Sequence, residues 1–220
     1  MSCEEDALEF THSGIERRQQ LVQLAREGDL SLARELCGDG DPRVRASSVA
    51  VLSENDALDE SLIALGLSDP HPLVRMAVAR AAAQNSSISV LELLSDEDSS
   101  VVEIACWAAG EQTEHNDSLI EALSAIALEH KDALCRESAV AALGALGDVR
   151  GLESILEATQ DIATVRRRAV IALAPFEGQA VTDALQLALS DRDWQVRQAA
   201  EDLTIYLSFP YLIYLLKVLL

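Results

Sequence analysis

Residues 39–52 read DGDPRVRASSVAVL, and this stretch decides the fold. Altered copies begin at Asp69 (DPHPLVRMAVARAA), Asp96 (DEDSSVVEIACWAA), His130 (HKDALCRESAVAAL), Gln160 (QDIATVRRRAVIAL) and Asp191 (DRDWQVRQAAEDLT). Counted from the first residue of each copy, position 6 is Val44, Val74, Val101, Cys135, Val165 or Val196. The copies therefore lie 30, 27, 34, 30 and 31 residues apart. Repetition near thirty residues marks a solenoid, whose units bury their apolar faces only against their neighbours.

Each copy predicts a helix. Position 3 is Asp41, Asp98, Asp132 or Asp193 in four copies, and a carboxylate there can accept from the open N–H groups of a first turn. Pro42 and Pro72 follow at the first helical position, where a missing N–H costs nothing. Positions 6, 10, 13 and 14 are apolar or small, as in Val44, Ser48, Val51 and Leu52 or Val165, Ala169, Ala172 and Leu173. That spacing draws one stripe down a helix. Position 7 is Arg45, Arg75, Arg136, Arg166 or Arg197, with Val102 the exception.

The pattern D-x-D-P-x-V-R-x-x-A-x-x-A-L resembles the second helix of a short bacterial HEAT repeat of the phycobilisome-lyase type, and the resemblance covers residues 30–203. It implies an all-α fold, a right-handed α-α superhelix (a HEAT/armadillo-like solenoid) of about six helix pairs. It also implies a ladder in which Arg45, Arg75, Arg136, Arg166 and Arg197 meet Asp39, Asp69, Asp96 and Asp191. Those residues are expected to hold repeats in register rather than to form a site.

Around this core the chain divides into an acidic arm and capping helix (1–29), the repeats (30–203) and an apolar tail (204–220). Residues 1–13 read as a loose arm, and Ile15–Arg26 as a cap with one narrow apolar face; the first helices of the repeats are expected to be short, Ala57–Leu67 and Ser87–Leu94 among them. The tail, within LTIYLSFPYLIYLLKVLL, carries Lys217 as its only charge and Pro210 near its middle. A membrane helix needs about 20 apolar residues. The tail is left as docked, as a membrane anchor, or as foreign to the solenoid.

Composition limits the partners. Lys plus Arg is 17 and Asp plus Glu is 37, a net charge of −20, which repels nucleic acid and anionic membranes and favours a basic protein partner. Cys3, Cys37, Cys106 and Cys135 show no CxxC spacing, as expected of a reduced, cytoplasmic protein. No GxSxG, HExxH, P-loop or GxGxxG motif is present, so neither catalysis nor a cofactor is expected. Glu114–His115 and Glu129–His130 reverse the His-Glu order of the di-iron deoxyhypusine hydroxylases, so His115 and His130 read as solvated loop residues rather than metal ligands. The aromatic, basic groove of HEAT-like DNA glycosylases is also missing.

Positions 5, 8 and 12 lie opposite the core stripe, on the helices that would line the concave side. The candidate protein-binding strip runs through Leu73, Met76, Arg80, Glu103, Trp107, Glu137, Arg167 and Ile171. Trp107 is either an anchor of that strip, since tryptophan favours interfaces, or packing against a neighbouring helix. Trp194 is expected to cover a helix start. The expected function is non-catalytic: a scaffold or adaptor for protein–protein interaction. The alternative is a chromophore-lyase-like or enzyme-associated subunit that attaches bilins.

Overall fold

The apolar stripe is the core. Position 6 is 0–2% exposed in all six copies, and position 10 (Ser48, Val78, Ala105, Ala139, Ala169 and Ala200) is fully buried in each. Small residues at position 10 let neighbouring helices approach, and the larger Leu52, Leu143 and Leu173 at position 14 fill what is left.

The structure is a computed structural model that describes residues 3–113 and 115–208, with side chains from 13 to 205 apart from residue 114. Helix α1 (Cys3–Arg26) leads. Pairs then follow in chain order: α2 (Ser31–Leu36) with α3 (Pro42–Glu54), α4 (Glu60–Leu67) with α5 (Pro72–Ala81), and α6 (Val90–Leu93) with α7 (Ser99–Gly110). Next come α8 (Asp117–Glu129) with α9 (Ala133–Leu146), then α10 (Leu152–Ala158) with α11 (Ala163–Ala172), then α12 (Gln179–Ala188) with α13 (Trp194–Ser208). A short 3-10 turn, Val149–Gly151, precedes α10. This is an all-helical α-solenoid, and it groups into two compact units, Met1–Ala108 and Ala109–Leu220.

Within the first unit α1 packs on α3, and α3 on α5; within the second α9 packs on α11, and α11 on α13. Glycine permits the closest approaches. A Cβ at Gly144 of α9 would lie 2.7 Å from the Cα of Ala172 in α11, and one at Gly110 would lie 3.1 Å from the Cα of Ala142. Both glycines hold position 15 and both alanines position 13 of the following copy.

Capping explains most helix starts. Asp41 and Asp132 accept from Arg43 N and Leu134 N, as position 3 predicts. His71, which stands where the others have aspartate, does the same through its ring Nδ1. Three boundaries differ from expectation. The helix α1 begins at Cys3, so it takes in most of the stretch read as a loose arm. The helix α4 starts at Glu60 rather than Ala57, because Asp59 caps it through Leu62 N. The helix α6 is four residues long instead of spanning 87–94; Asn85 Oδ1 takes the Ser87 N–H in a local turn that competes with helix. The helix α13 carries the chain to Ser208, and the remainder of the apolar tail, with the expectations attached to it, lies outside the described residues. Among those described, no helix is long and apolar enough to cross a membrane.

Candidate interaction face

The position-7 arginines come first, because they decide which charges remain for anything else. Arg45 donates from Nε and Nη2 to the two carboxylate oxygens of Asp69, both at 2.7 Å, and from Nη1 to the Asp39 carbonyl at 2.8 Å. Arg75 does the same with Asp96 and the Asp69 carbonyl. Arg136 pairs with Asp161 and the His130 carbonyl, and Arg166 with Asp191 and the Asp161 carbonyl. Each guanidinium thus ties the start of its own second helix to the start of the next. Each bond is bidentate and charge-assisted, the stronger class of hydrogen bond.

The carboxyls respond. The Arg136 and Arg166 guanidiniums hold Asp161 and Asp191 below the usual carboxylate range. Burial alone would push Asp69 and Asp96 up, but Arg45, Arg75 and the N–H groups of His71 and Asp98 outweigh it and leave both lowered.

The ladder corrects the expected pairings. Asp39 is held not by a position-7 arginine but by Arg17 of α1, whose Nη2 donates to it at 3.0 Å. Asp161 was not foreseen: the fifth copy's turn is one residue shorter, so its acid stands at position 2. The described contact of Arg197 is with the Asp191 carbonyl, not a carboxylate. Where Val102 replaces the arginine, His130 replaces the acid that opens the following copy.

Positions 5, 8 and 12 are exposed or half-buried in every copy. In the first unit, Leu73, Met76, Arg80 and Trp107 line one groove of about 510 Å³, together with Arg18 and Arg43. Leu73 is 41% exposed and Trp107 45%, so much of the indole faces solvent. Glu103 is half-buried and outside the lining. In the second unit, Arg167 and Ile171 line a groove of about 480 Å³ with Leu203 and Trp194. Trp194 is the first residue of α13 and is 64% exposed; it is a groove residue that sequence reasoning missed. Its position 4 falls outside the periodic strip. Glu137 lies 3.3 Å from Arg168 rather than in that lining. Of the expected strip, four residues thus share a groove within the first unit and two within the second.

The first groove is basic in its lining. Arg18, Arg43 and Arg80 face Glu54 as the only carboxylate. Asp41 grips Arg43 at Nε and Nη2, both at 3.0 Å. Arg18 Nε donates to the Ser47 hydroxyl at 3.0 Å. Among the described residues Arg80 makes no ion pair.

The histidines are not the solvated loop residues expected. His115 Nε2 lies 3.0 Å from Asp148, whose carboxyl Arg150 holds well below its usual range. His130 Nδ1 accepts from Asp132 N at 3.1 Å and so shapes the turn before α9. Among the described residues no group of three or more metal-binding side chains gathers. Cys37, Cys106 and Cys135 are buried outside any disulfide, and burial pushes the Cys37 thiol up to about 11.

The family of HEAT repeats matches residues 87–174. Two engineered proteins of known structure share the fold. One is 20% identical with a TM-score of 0.53, over 79% of this chain and 94% of that one. The other is 25% identical with a TM-score of 0.53, over 80% and 96%. A designed armadillo repeat protein, solved in complex with the peptide (KR)4, is 19% identical with a TM-score of 0.51, over 86% and 97%. No curated protein matches the chain. The chain thus has HEAT/armadillo-type architecture, with HEAT repeats recognisable in its central part.

Proposed function

We propose that this protein is a non-catalytic repeat scaffold that holds a partner protein on the exposed face of its second helices. One observation carries the reading: Leu73 and Met76 from one repeat and Trp107 from the next gather in a single groove, with Leu73 and Trp107 substantially open to solvent. A monomer gains nothing from leaving an indole and two large aliphatic side chains there, whereas a partner could bury them. Solenoids characteristically bind through such extended faces, and a central tryptophan flanked by arginine has the make-up of a hot spot. Buried cysteines suit work in a reducing compartment such as the cytoplasm.

Affinity capture with the full chain tests this. Trp107→Ala is expected to weaken retention of the principal partner by about tenfold or more and to change the melting temperature little. Unchanged capture would sink the reading, and a large melting shift would make the indole a core residue. Bilin attachment, the enzymatic alternative, requires a spectral shift when a bilin is added; such a shift with turnover would replace the scaffold reading.

A further inference from the structure

We infer that the groove of the first unit takes an acidic segment of a partner protein, one in which carboxylates alternate with apolar side chains. This rests on the protein-binding reading above and adds the partner's chemistry. The whole-chain charge of −20 by itself favours a basic partner, but the groove's lining has the opposite sign. Three of its side chains are guanidiniums and one is a carboxylate.

The arginines differ in what they already hold. In this unit Arg17, Arg34, Arg45 and Arg75 each grip a carboxylate outside the groove, and Arg43 is occupied by Asp41. Among the described residues Arg18 has the neutral Ser47 hydroxyl as its hydrogen-bond partner and no ion pair, and Arg80 makes no ion pair. Among the described residues nine arginines pair with a carboxylate, and this groove holds two that do not. A guanidinium presents a planar fork of donors that fits a carboxylate bidentately. Leu73, Met76 and Trp107 in the same groove ask for apolar side chains beside those carboxylates. A polyphosphate chain would offer anions as well, but it carries one at every residue and meets the long-range repulsion of a strongly negative protein. The second unit's groove lacks this imbalance, with Arg167 and Asp202 as its charges.

Trp194→Phe leaves Trp107 as the sole indole of the full-length chain, and its emission then reports on the groove. Three short peptides share leucine and phenylalanine and carry glutamate, glutamine or lysine at the intervening positions. The glutamate peptide is expected to shift the emission and to bind about tenfold more tightly than the glutamine peptide, with the margin narrowing as salt is raised. Arg18→Gln or Arg80→Gln removes most of that margin with the helical circular dichroism intact, and Arg167→Gln leaves it. Arg80→Glu moves the preference toward the lysine peptide. A lysine peptide that binds the unaltered groove as tightly as the glutamate peptide overturns the acidic inference and leaves the scaffold reading standing. Failure of every peptide to shift Trp107 overturns both. Displacement of the glutamate peptide by oligothymidylate reassigns the groove to phosphate. An emission change on deleting residues 209–220 assigns it to the chain's own tail, and one that follows protein concentration assigns it to a second copy; either result overturns the proposal.

Discussion

Arg136 shows what a position-7 arginine contributes. Its side chain is 15% exposed and that of Asp161 20%, so the two charges are largely out of water together. Removing one strands the other, which costs about 3 kcal/mol for a buried pair. Arg136→Ala is therefore expected to lower the melting temperature clearly. Arg80→Ala, on the open face, should cost under about 0.5 kcal/mol. Matching melts for the two variants would remove the ladder's structural role. The ladder also sets an acid limit. Asp69, Asp96, Asp161 and Asp191 are lowered in the folded chain, so their contribution is complete above the unfolded carboxylate value of about 3.9 and is lost as pH falls through the lowered values. Melting temperature followed against pH should show no ladder-derived change from about pH 5 to 8 and a fall below about pH 4, shallower in Arg136→Ala. The arginines were legible in the sequence because they recur at one position. Asp161 was not, since one residue fewer in its turn takes it out of register. Arg17 left a fainter trace: apolar Leu21 and Leu24 follow it by four and seven residues, as Val49 and Leu52 follow Arg45.

Helix pairs depend on how near two backbones come. At most exposed helical sites alanine is better than glycine by about 1 kcal/mol. Gly144 should reverse that order, because a Cβ there would press on both Cα and Cβ of Ala172 at 2.7 Å, and overpacking typically costs 1–3 kcal/mol. Gly38 is the control: its nearest neighbour to an added Cβ is a carbonyl oxygen at 3.8 Å, and its backbone is not left-handed. Chemical denaturation should show Gly144→Ala losing stability while Gly38→Ala holds or gains it; a stabilised Gly144→Ala would mean that α9 and α11 separate easily. The second helices could be read from aspartate, proline and the apolar stripe, and the structure keeps them. The first helices were harder to place. Their stretches are short, and polar side chains such as Asn85 and Asp59 redirect the backbone over a single residue.

Two compact units in one chain suggest how stability is shared out. In a solenoid each repeat answers chiefly to its neighbours, so damage should remain local. Amide exchange followed by mass spectrometry should show Arg136→Ala lowering protection in α9 and α11 and leaving α3 and α5 as they were. Uniform loss along the chain would mean that it opens as one body. The solenoid class was legible because the spacing and the buried stripe say the same thing in every copy. The sign of the first groove was not. Net charge sums the whole surface, and a few arginines left without carboxylates vanish in a total of −20.

The ladder has a direction: each rung takes its arginine from one copy and its acid from the next. A whole copy with a complete rung on either side is therefore a removable part. Excising residues 69–95 would take away Arg75 along with Asp69, and would present Arg45 with Asp96, the same carboxylate that Arg75 holds now. A cut out of step with the repeat would orphan one charge at each edge. That one excision shortens the chain by a full copy without a new unpaired rung charge, whereas removing the copy from His130 would take Arg136 from Asp161 and leave that acid facing Val102.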